Sequence, residues 1–216
     1  FRGHDNVQGA TDVGPNPDSL PGYYGIVEGA WKHFAKAWGV DYEWIKKQYA
    51  PGMMTKPGMT VSRWIDGVLE KNELIDQDSN LRAVIYWGHA PNSQTRGLDM
   101  KLAMEKVDLM VIVDPYPSAS AVMPDRKEGV YLLPAATQFE TSGSATASNR
   151  SIQWREKVIE PLFESKPDHT IMYAFAKKFG FEKEFAKNLK LVKDKQGWDE
   201  PVVEDITREF NRGLWT

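Results

Sequence analysis

An α/β fold is what this sequence predicts, as part of a doubly wound, mostly parallel sheet with flanking helices. Three observations carry that expectation. Ala83–Trp87, Leu109–Val113 and Val130–Leu133 are short, continuous apolar runs rich in β-branched and aromatic residues. Helical spacing separates them, first around Leu98, Leu102 and Met104, then more briefly over Ser118–Met123. None of the runs alternates with polar residues, as strands buried on both faces of a parallel sheet should not.

Composition narrows the class further. In 216 residues, 41% are hydrophobic and 26% charged, which excludes a disordered chain. Lys+Arg 27 against Asp+Glu 30 leaves −3, so the basic excess that nucleic acid or an anionic membrane surface would require is absent. With no cysteine, the chain supplies no disulfide, thiolate zinc site or Cys-bound iron–sulfur cluster. No apolar run approaches the roughly 20 residues of a membrane span, so direct membrane insertion is not expected. Phe1 at the start and Leu214-Trp215-Thr216 after a helical pattern give both ends the look of an internal segment.

Along the chain, residues 1–25 are dense in Gly and Pro and read as loop. Ala30, Trp31, Phe34 and Trp38 share the face of a helix over Ile26–Trp38, with Gly39 as its stop. Asp41 suits the N-cap of the next helix, through Trp44, Ile45 and Tyr49. After a break at Pro51–Gly58, Thr60 or Ser62 opens a third helix bearing Val61, Trp64, Ile65, Val68 and Leu69. The strands and helices of the α/β part follow. Residues 135–150 return to loop, then one helix is expected over Ile152–Phe163 and another from Asp168 to Phe179, stopped by Gly180. Mixed charge from Glu182 to Arg212 suggests peripheral helices. The expected divisions are 1–82, loop-rich with helices, 83–150, the α/β core, and 151–216, a helical periphery.

Ligands of an open α/β sheet bind beyond the carboxyl ends of its strands. Here those ends carry Gly88-His89-Ala90-Pro91-Asn92-Ser93-Gln94-Thr95, then Asp114-Pro115, then Thr137–Gly143. Gly88 permits close backbone approach, and Asn92–Thr95 offer donors ahead of a helix, which favours a phosphate. Asp114 is placed to accept from ribose hydroxyls or a guanine amino edge. A nucleotide site is the functional reading; ordinary turns after strands are the alternative, since no run matches a P-loop or GxGxxG. His4, His33, His89 and His169 are scattered without zinc-ligand spacing, and no hydrolase triad is arguable.

Arg2-Gly3-His4-Asp5-Asn6-Val7-Gln8-Gly9-Ala10-Thr11-Asp12, with Leu20-Pro21-Gly22-Tyr23, resembles a motif of the large subunit of molybdenum- or tungsten-dependent formate dehydrogenases. Trp87–Arg96, Val113–Pro117, Leu133–Glu140 and Ser148–Arg150 are similar to the same subunit, so the resemblance covers nearly the whole chain. It implies a bis-(molybdopterin guanine dinucleotide) cofactor holding Mo or W, at which formate is oxidised to CO2. It places Arg2 beside the metal facing substrate, a task that suits a permanently charged planar fork. Gly3 and His4 fall at the pterin; Gly88, His89, Ala90, Asn92, Ser93, Gln94 and Thr95 in the loop around the dinucleotide; Asp114 and Pro115 at the guanosine end. Ser142, Gly143, Thr146 and Asn149 fall in a further cofactor-lining loop. Relatives often carry an acid where this chain has Ala90.

The resemblance further implies a metal-ligating cysteine or selenocysteine, a neighbouring histidine and a 4Fe–4S cluster elsewhere in the full subunit, so this segment alone should be inactive. Expected partners are the remainder of the large subunit, an iron–sulfur subunit and a membrane cytochrome subunit, with a periplasmic location and the cytoplasm as the alternative. Two other readings stand beside it: a nitrate or other oxyanion reductase of the same superfamily, and a free-standing nucleotide-binding or assembly module without metal.

Overall fold

The computed structural model describes residues 4–75, 77, 79–91 and 96–213. In chain order its elements are α1 (Val7–Val13), β1 (Ser19–Leu20), β2 (Tyr24–Gly25), α2 (Glu28–Trp38), α3 (Tyr42–Lys47), α4 (Trp64–Leu69) and α5 (Asn72–Ile75). There follow β3 (Ala83–Trp87), α6 (Gly97–Lys106), β4 (Leu109–Asp114), α7 (Ala119–Val122) and β5 (Val130–Pro134). The remainder is β6 (Gly143–Thr146), β7 (Ile152–Arg155), α8 (Asp168–Phe179), α9 (Glu182–Phe185), β8 (Leu191–Lys193), β9 (Asp199–Pro201) and α10 (Val203–Gly213). The chain forms two compact units, one of residues 59–137 and 161–166, the other of 1–58, 138–160 and 167–216. These boundaries cut across the expected divisions at 82 and 150.

The first unit holds the predicted parallel sheet. Its sheet has the order β3-β4-β5 and is parallel throughout, with Tyr86 opposite Ile112 and Ile112 opposite Leu132. Ile65 and Val68 of α4 and Met100, Ala103 and Met104 of α6 bury one face, over Tyr86, Met110 and Ile112. In the row on the opposite face Val111 is buried, while its edge-strand neighbours Ile85 and Tyr131 are 49% and 59% exposed. Helix cover is therefore one-sided at the sheet edges.

The α6 face departs from expectation. Leu98 is 82% exposed and Leu102 also faces outward, because Met100, Ala103 and Met104 supply the buried stripe. Three flexible or small residues let α6 lie close over β3 and β4.

In the second unit, α2 buries Ala30, Trp31, Phe34 and Ala35 and stops at Gly39, whose φ of 69° suits glycine. The Trp31 indole N–H donates to the Met54 carbonyl at 3.0 Å, so the bulky ring enters the core with its polar atom satisfied. Asp41 caps α3 by accepting from the Glu43 N–H. Helix α10 packs on α2, and Gly213 permits this contact, since a Cβ there would overlap the Phe34 ring.

Four expectations are corrected here. Residues 1–25 contain the helix α1, which keeps Gly9 inside it because the neighbouring side chain of Asn6 fills the space a Cβ would take. The loop over 135–150 contains β6, and the helix placed at Ile152–Phe163 is instead β7 followed by irregular chain; β6 and β7 form an antiparallel hairpin. Pro161 lacks the N–H a continuing helix needs, and Ile152 and Trp154 suit a strand. Finally, the peripheral tail includes the hairpin β8–β9, closed by a turn with Gly197 at φ 84°.

Candidate functional site

The α/β unit places two of the sequence-predicted loops at adjacent strand ends. Gly88 follows β3 with φ 58°, and its N–H donates to the Val113 carbonyl at 2.8 Å, while no atom lies within 4 Å of where a Cβ would stand. Its backbone is thus both held and open to close approach. His89 stacks on Tyr86 at 5.8 Å with planes 10° apart, and its carbonyl accepts from Ser120 Oγ at 3.4 Å. Ala90 is exposed and Pro91 buried.

One strand over, the Asp114 carbonyl accepts from the Ala135 N–H at 3.2 Å, tying the ends of β4 and β5 together. The half-buried Asp114 side chain bends the chain at Pro115, with Oδ1 accepting from the Tyr116 N–H at 3.0 Å. Its other carboxylate oxygen has no hydrogen bond among the described residues and remains an available acceptor.

Beneath these loops, Tyr86 is buried against Trp64 and His89, and burial pushes its phenol well above the usual range. Its Oη has no hydrogen-bond partner among the described residues. A buried polar atom without a partner costs about 1–3 kcal/mol, so this hydroxyl stands out in an otherwise apolar cluster.

Immediately before α6, Arg96 adopts φ 63°, a strained region for a side-chain-bearing residue. Its guanidinium bonds Asp66 at 2.7 Å, Asp99 at 3.1 Å and the Ser62 carbonyl at 3.3 Å. Asp66 is buried and also receives Arg63 at 2.9 Å. The two carboxylates, Asp66 foremost, raise the Arg96 guanidinium above its ordinary value. This anchor was not singled out from the sequence, since Asp66 lies thirty residues upstream on a helix with no local signal for the pairing.

The remaining predicted residues lie in the other unit. His4 is exposed at a bend. Ser142 Oγ accepts from the Lys157 N–H at 2.9 Å, and Asn149 Oδ1 accepts from the N–H and hydroxyl of Ser151 at 3.1 and 2.7 Å. Both are engaged in shaping the β6–β7 hairpin. At Gly143 a Cβ would meet nothing within 4 Å. Arg2, Gly3, Asn92, Ser93, Gln94 and Thr95 lie outside the described residues.

Motif residues that sequence reasoning passed over do have partners. Buried Gln8 donates to Asp12 Oδ1 at 2.7 Å and to Tyr23 Oη at 3.1 Å, and the Tyr23 hydroxyl donates to Asp12 at 2.8 Å. Three residues of the resembling motif therefore form one polar network. Among the described residues, no group of three or more His, Asp or Glu side chains could hold a metal ion, and no helix is long and apolar enough to cross a membrane.

The class that fold and loops define is an α/β protein with a parallel sheet whose carboxyl edge is its natural ligand edge. The chain belongs to the molybdopterin oxidoreductase family, which matches residues 8–178. It is 33% identical over 182 residues to "Probable oxidoreductase YjgC" of Bacillus subtilis, covering 83% of this chain and 16% of that protein. It is 28% identical over 181 residues to "Putative formate dehydrogenase SH0748" of Staphylococcus haemolyticus, with 83% and 16% covered. A Staphylococcus aureus protein of the same descriptive name is 29% identical over 183 residues, with 84% and 16% covered. The chain thus spans about a sixth of the length of these relatives. Among solved structures, acetylene hydratase from Pelobacter acetylenicus superposes with a TM-score of 0.47 at 18% identity, over 72% of this chain and 20% of that one.

A molybdopterin cofactor fits the residues present in the α/β unit. Open backbone at Gly88, the unengaged oxygen of Asp114 and the orphan hydroxyl of Tyr86 provide room, an acceptor and a polar atom lacking a partner.

Proposed function

We propose that this chain is the segment of a formate dehydrogenase large subunit that helps cradle a bis-(molybdopterin guanine dinucleotide) cofactor holding Mo or W. The intact enzyme would oxidise formate to CO2, releasing two electrons and one proton. One observation carries the reading: relatives bearing the name formate dehydrogenase align with 83–84% of the chain.

In this reading Gly88, His89, Ala90 and Asn92–Thr95 hold the dinucleotide by backbone and short polar side chains. Asp114, turned at Pro115, accepts from the guanosine end. Ser142, Gly143 and Asn149 line a second stretch, and Gly3 and His4 meet the pterin. Arg2 orients formate, because a guanidinium stays charged and offers two parallel donors to a carboxylate. When bound, the cofactor supplies the two-electron redox chemistry. A 4Fe–4S cluster elsewhere in the subunit, an iron–sulfur partner subunit, a membrane cytochrome subunit and a periplasmic location complete the proposal.

The test is Arg2→Lys in the intact enzyme. Formate turnover should fall by orders of magnitude while metal and pterin contents stay normal, because Lys keeps the charge and loses the fork. Near-native turnover removes Arg2 from the mechanism, and an intact wild-type enzyme with full cofactor that fails to reduce a dye with formate removes the reading itself.

A further inference from the structure

Tyr23 holds a conformation that its residue type disfavours. Its φ is 63°, directly after Gly22 at φ 72°, and Arg150 is a second non-glycine residue in the left-handed region, at φ 65°. A bulky side chain at positive φ is strained, and such strain persists only where surrounding contacts over-determine it. Burial of the ring is not the compensation, since Tyr23 is 49% exposed. The hydroxyl supplies it instead.

Tyr23 Oη donates to Asp12 Oδ1 at 2.8 Å, accepts from buried Gln8 Nε2 at 3.1 Å and lies 3.0 Å from Thr11 Oγ1. Gln8, Thr11 and Asp12 are spaced to share one face of α1, so a single oxygen ties that face to the turn Pro21–Tyr23. The same Asp12 oxygen accepts from Gln8 at 2.7 Å and stands 3.7 Å from Arg150 Nη2. Two strained residues from separate turns thus converge on one carboxylate. Past the end of α1, a Cβ at Gly14 would stand 2.7 Å from the Pro21 nitrogen, so helix and turn approach closely there too.

All these residues belong to one unit, in which α1 is held at both ends. Asn6 meets Thr146 at its start, and Asp12 meets Tyr23 and Arg150 near its finish. With 7 residues, α1 is too short to keep its place unaided. Arg2, Gly3 and His4 come shortly before it in sequence, so the chain leading to them starts from wherever α1 is held.

We infer that Tyr23 is a positioning residue, whose hydroxyl holds α1 through Asp12 and Gln8 so that the chain before the helix presents Arg2 to formate. The inference rests on the proposed formate site. Tyr23 acts on the reaction only through the placement of α1. A phenylalanine at this position keeps the ring and the backbone strain and loses the anchor.

Steady-state kinetics and amide hydrogen exchange of the intact enzyme test this, using Tyr23→Phe, Arg2→Lys and the double variant. Tyr23→Phe should lower kcat/KM for formate about tenfold with native pterin and metal contents, and exchange over α1 should quicken by about the same factor. In the Arg2→Lys background the same change should cost less than about twofold, because the group it positions is already impaired. A role confined to stability would give equal losses in both backgrounds, and that result overturns the inference. So does native kcat/KM in Tyr23→Phe beside a slow Arg2→Lys enzyme, or exchange over α1 that Tyr23→Phe leaves unchanged. Native turnover by Arg2→Lys alone overturns the proposed formate site first, and this inference with it.

Discussion

Asn6 Oδ1 accepts a hydrogen bond from the Thr146 backbone N–H at 2.8 Å, across 140 positions of sequence. The bond joins the start of α1 to β6, and Gly9 is the residue that makes room for it. A Cβ at Gly9 would overlap Asn6 Oδ1 and stand 3.0 Å from Thr146 Oγ1. Gly9→Ala should therefore destabilise the chain by about 1–3 kcal/mol, although alanine is the better helix former. Asn6→Ala should cost a similar amount by stranding a part-buried donor. If urea unfolding of Gly9→Ala shows equal or higher stability, the Asn6 side chain moves freely and the bond is not a constraint.

The pair Asp66–Arg96 governs the entry to α6 in the same manner. Asp66 is buried, but Arg63 and Arg96 are partly exposed, with side-chain accessibilities of 56% and 35%. Removing the carboxylate leaves two cations that water can still reach, so Asp66→Ala should cost about 1–3 kcal/mol, below the loss for a fully buried pair. Arg96→Lys should recover only part of the native stability, because one ammonium cannot span Asp66 and Asp99 as the guanidinium does. Thermal melting of the two variants distinguishes this from a packing effect: equal stability of Arg96→Lys and the native chain would show that charge alone suffices.

Lys193 first, and Lys177 with it, hold the Asp199 carboxyl below the usual carboxylate range. A carboxyl lowered in the folded state adds stability above its unfolded pKa of about 3.9 and loses it as pH falls through the folded value. The stability difference between native chain and Asp199→Asn should therefore be flat from roughly pH 5 to 8 and shrink toward acid. Added salt should reduce it as well, since all three groups are solvent-accessible. A difference that grows below about pH 4 would contradict the assignment.

What could be read in advance follows from the range of the forces involved. The three parallel strands and helices α2, α3 and α8 were legible because apolar runs, Asp41 and the stops at Gly39 and Gly180 are local signals. The strand β7 was misread because Ile152, Val158, Ile159 and Phe163 fit helical spacing, while the partner strand that claims Ile152–Arg155 lies across a turn. Helix α1 was hidden by glycine density, and its stability depends on the distant Thr146 and on the network of Gln8, Asp12 and Tyr23. At the candidate site, Gly88 and Asp114 were legible from their places after apolar runs. Tyr86 was not, since nothing in the sequence marks a strand tyrosine whose hydroxyl finds no partner. Arg96 ends the tract Trp87–Arg96, yet its tie to Asp66 depends on how α4 packs over α6.

Gly88 offers a separation of stability from cofactor binding. Its φ of 58° lies in the left-handed region, where a side chain costs about 1–2 kcal/mol. With no atom within 4 Å of the new Cβ, Gly88→Ala should cost no more than that in the chain alone. If the proposed dinucleotide rests on this backbone, the added methyl stands where the cofactor must approach. Cofactor content of the intact enzyme, measured as released pterin and as metal, should then fall several-fold, beyond what so small a stability loss produces. Asp114→Ala makes the complementary case: it removes the acceptor and leaves the Gly88 backbone unchanged. A Gly88→Ala enzyme with full pterin and metal content would show that the dinucleotide does not pass over Gly88, and the cradle would have to be sought at other loops of the sheet.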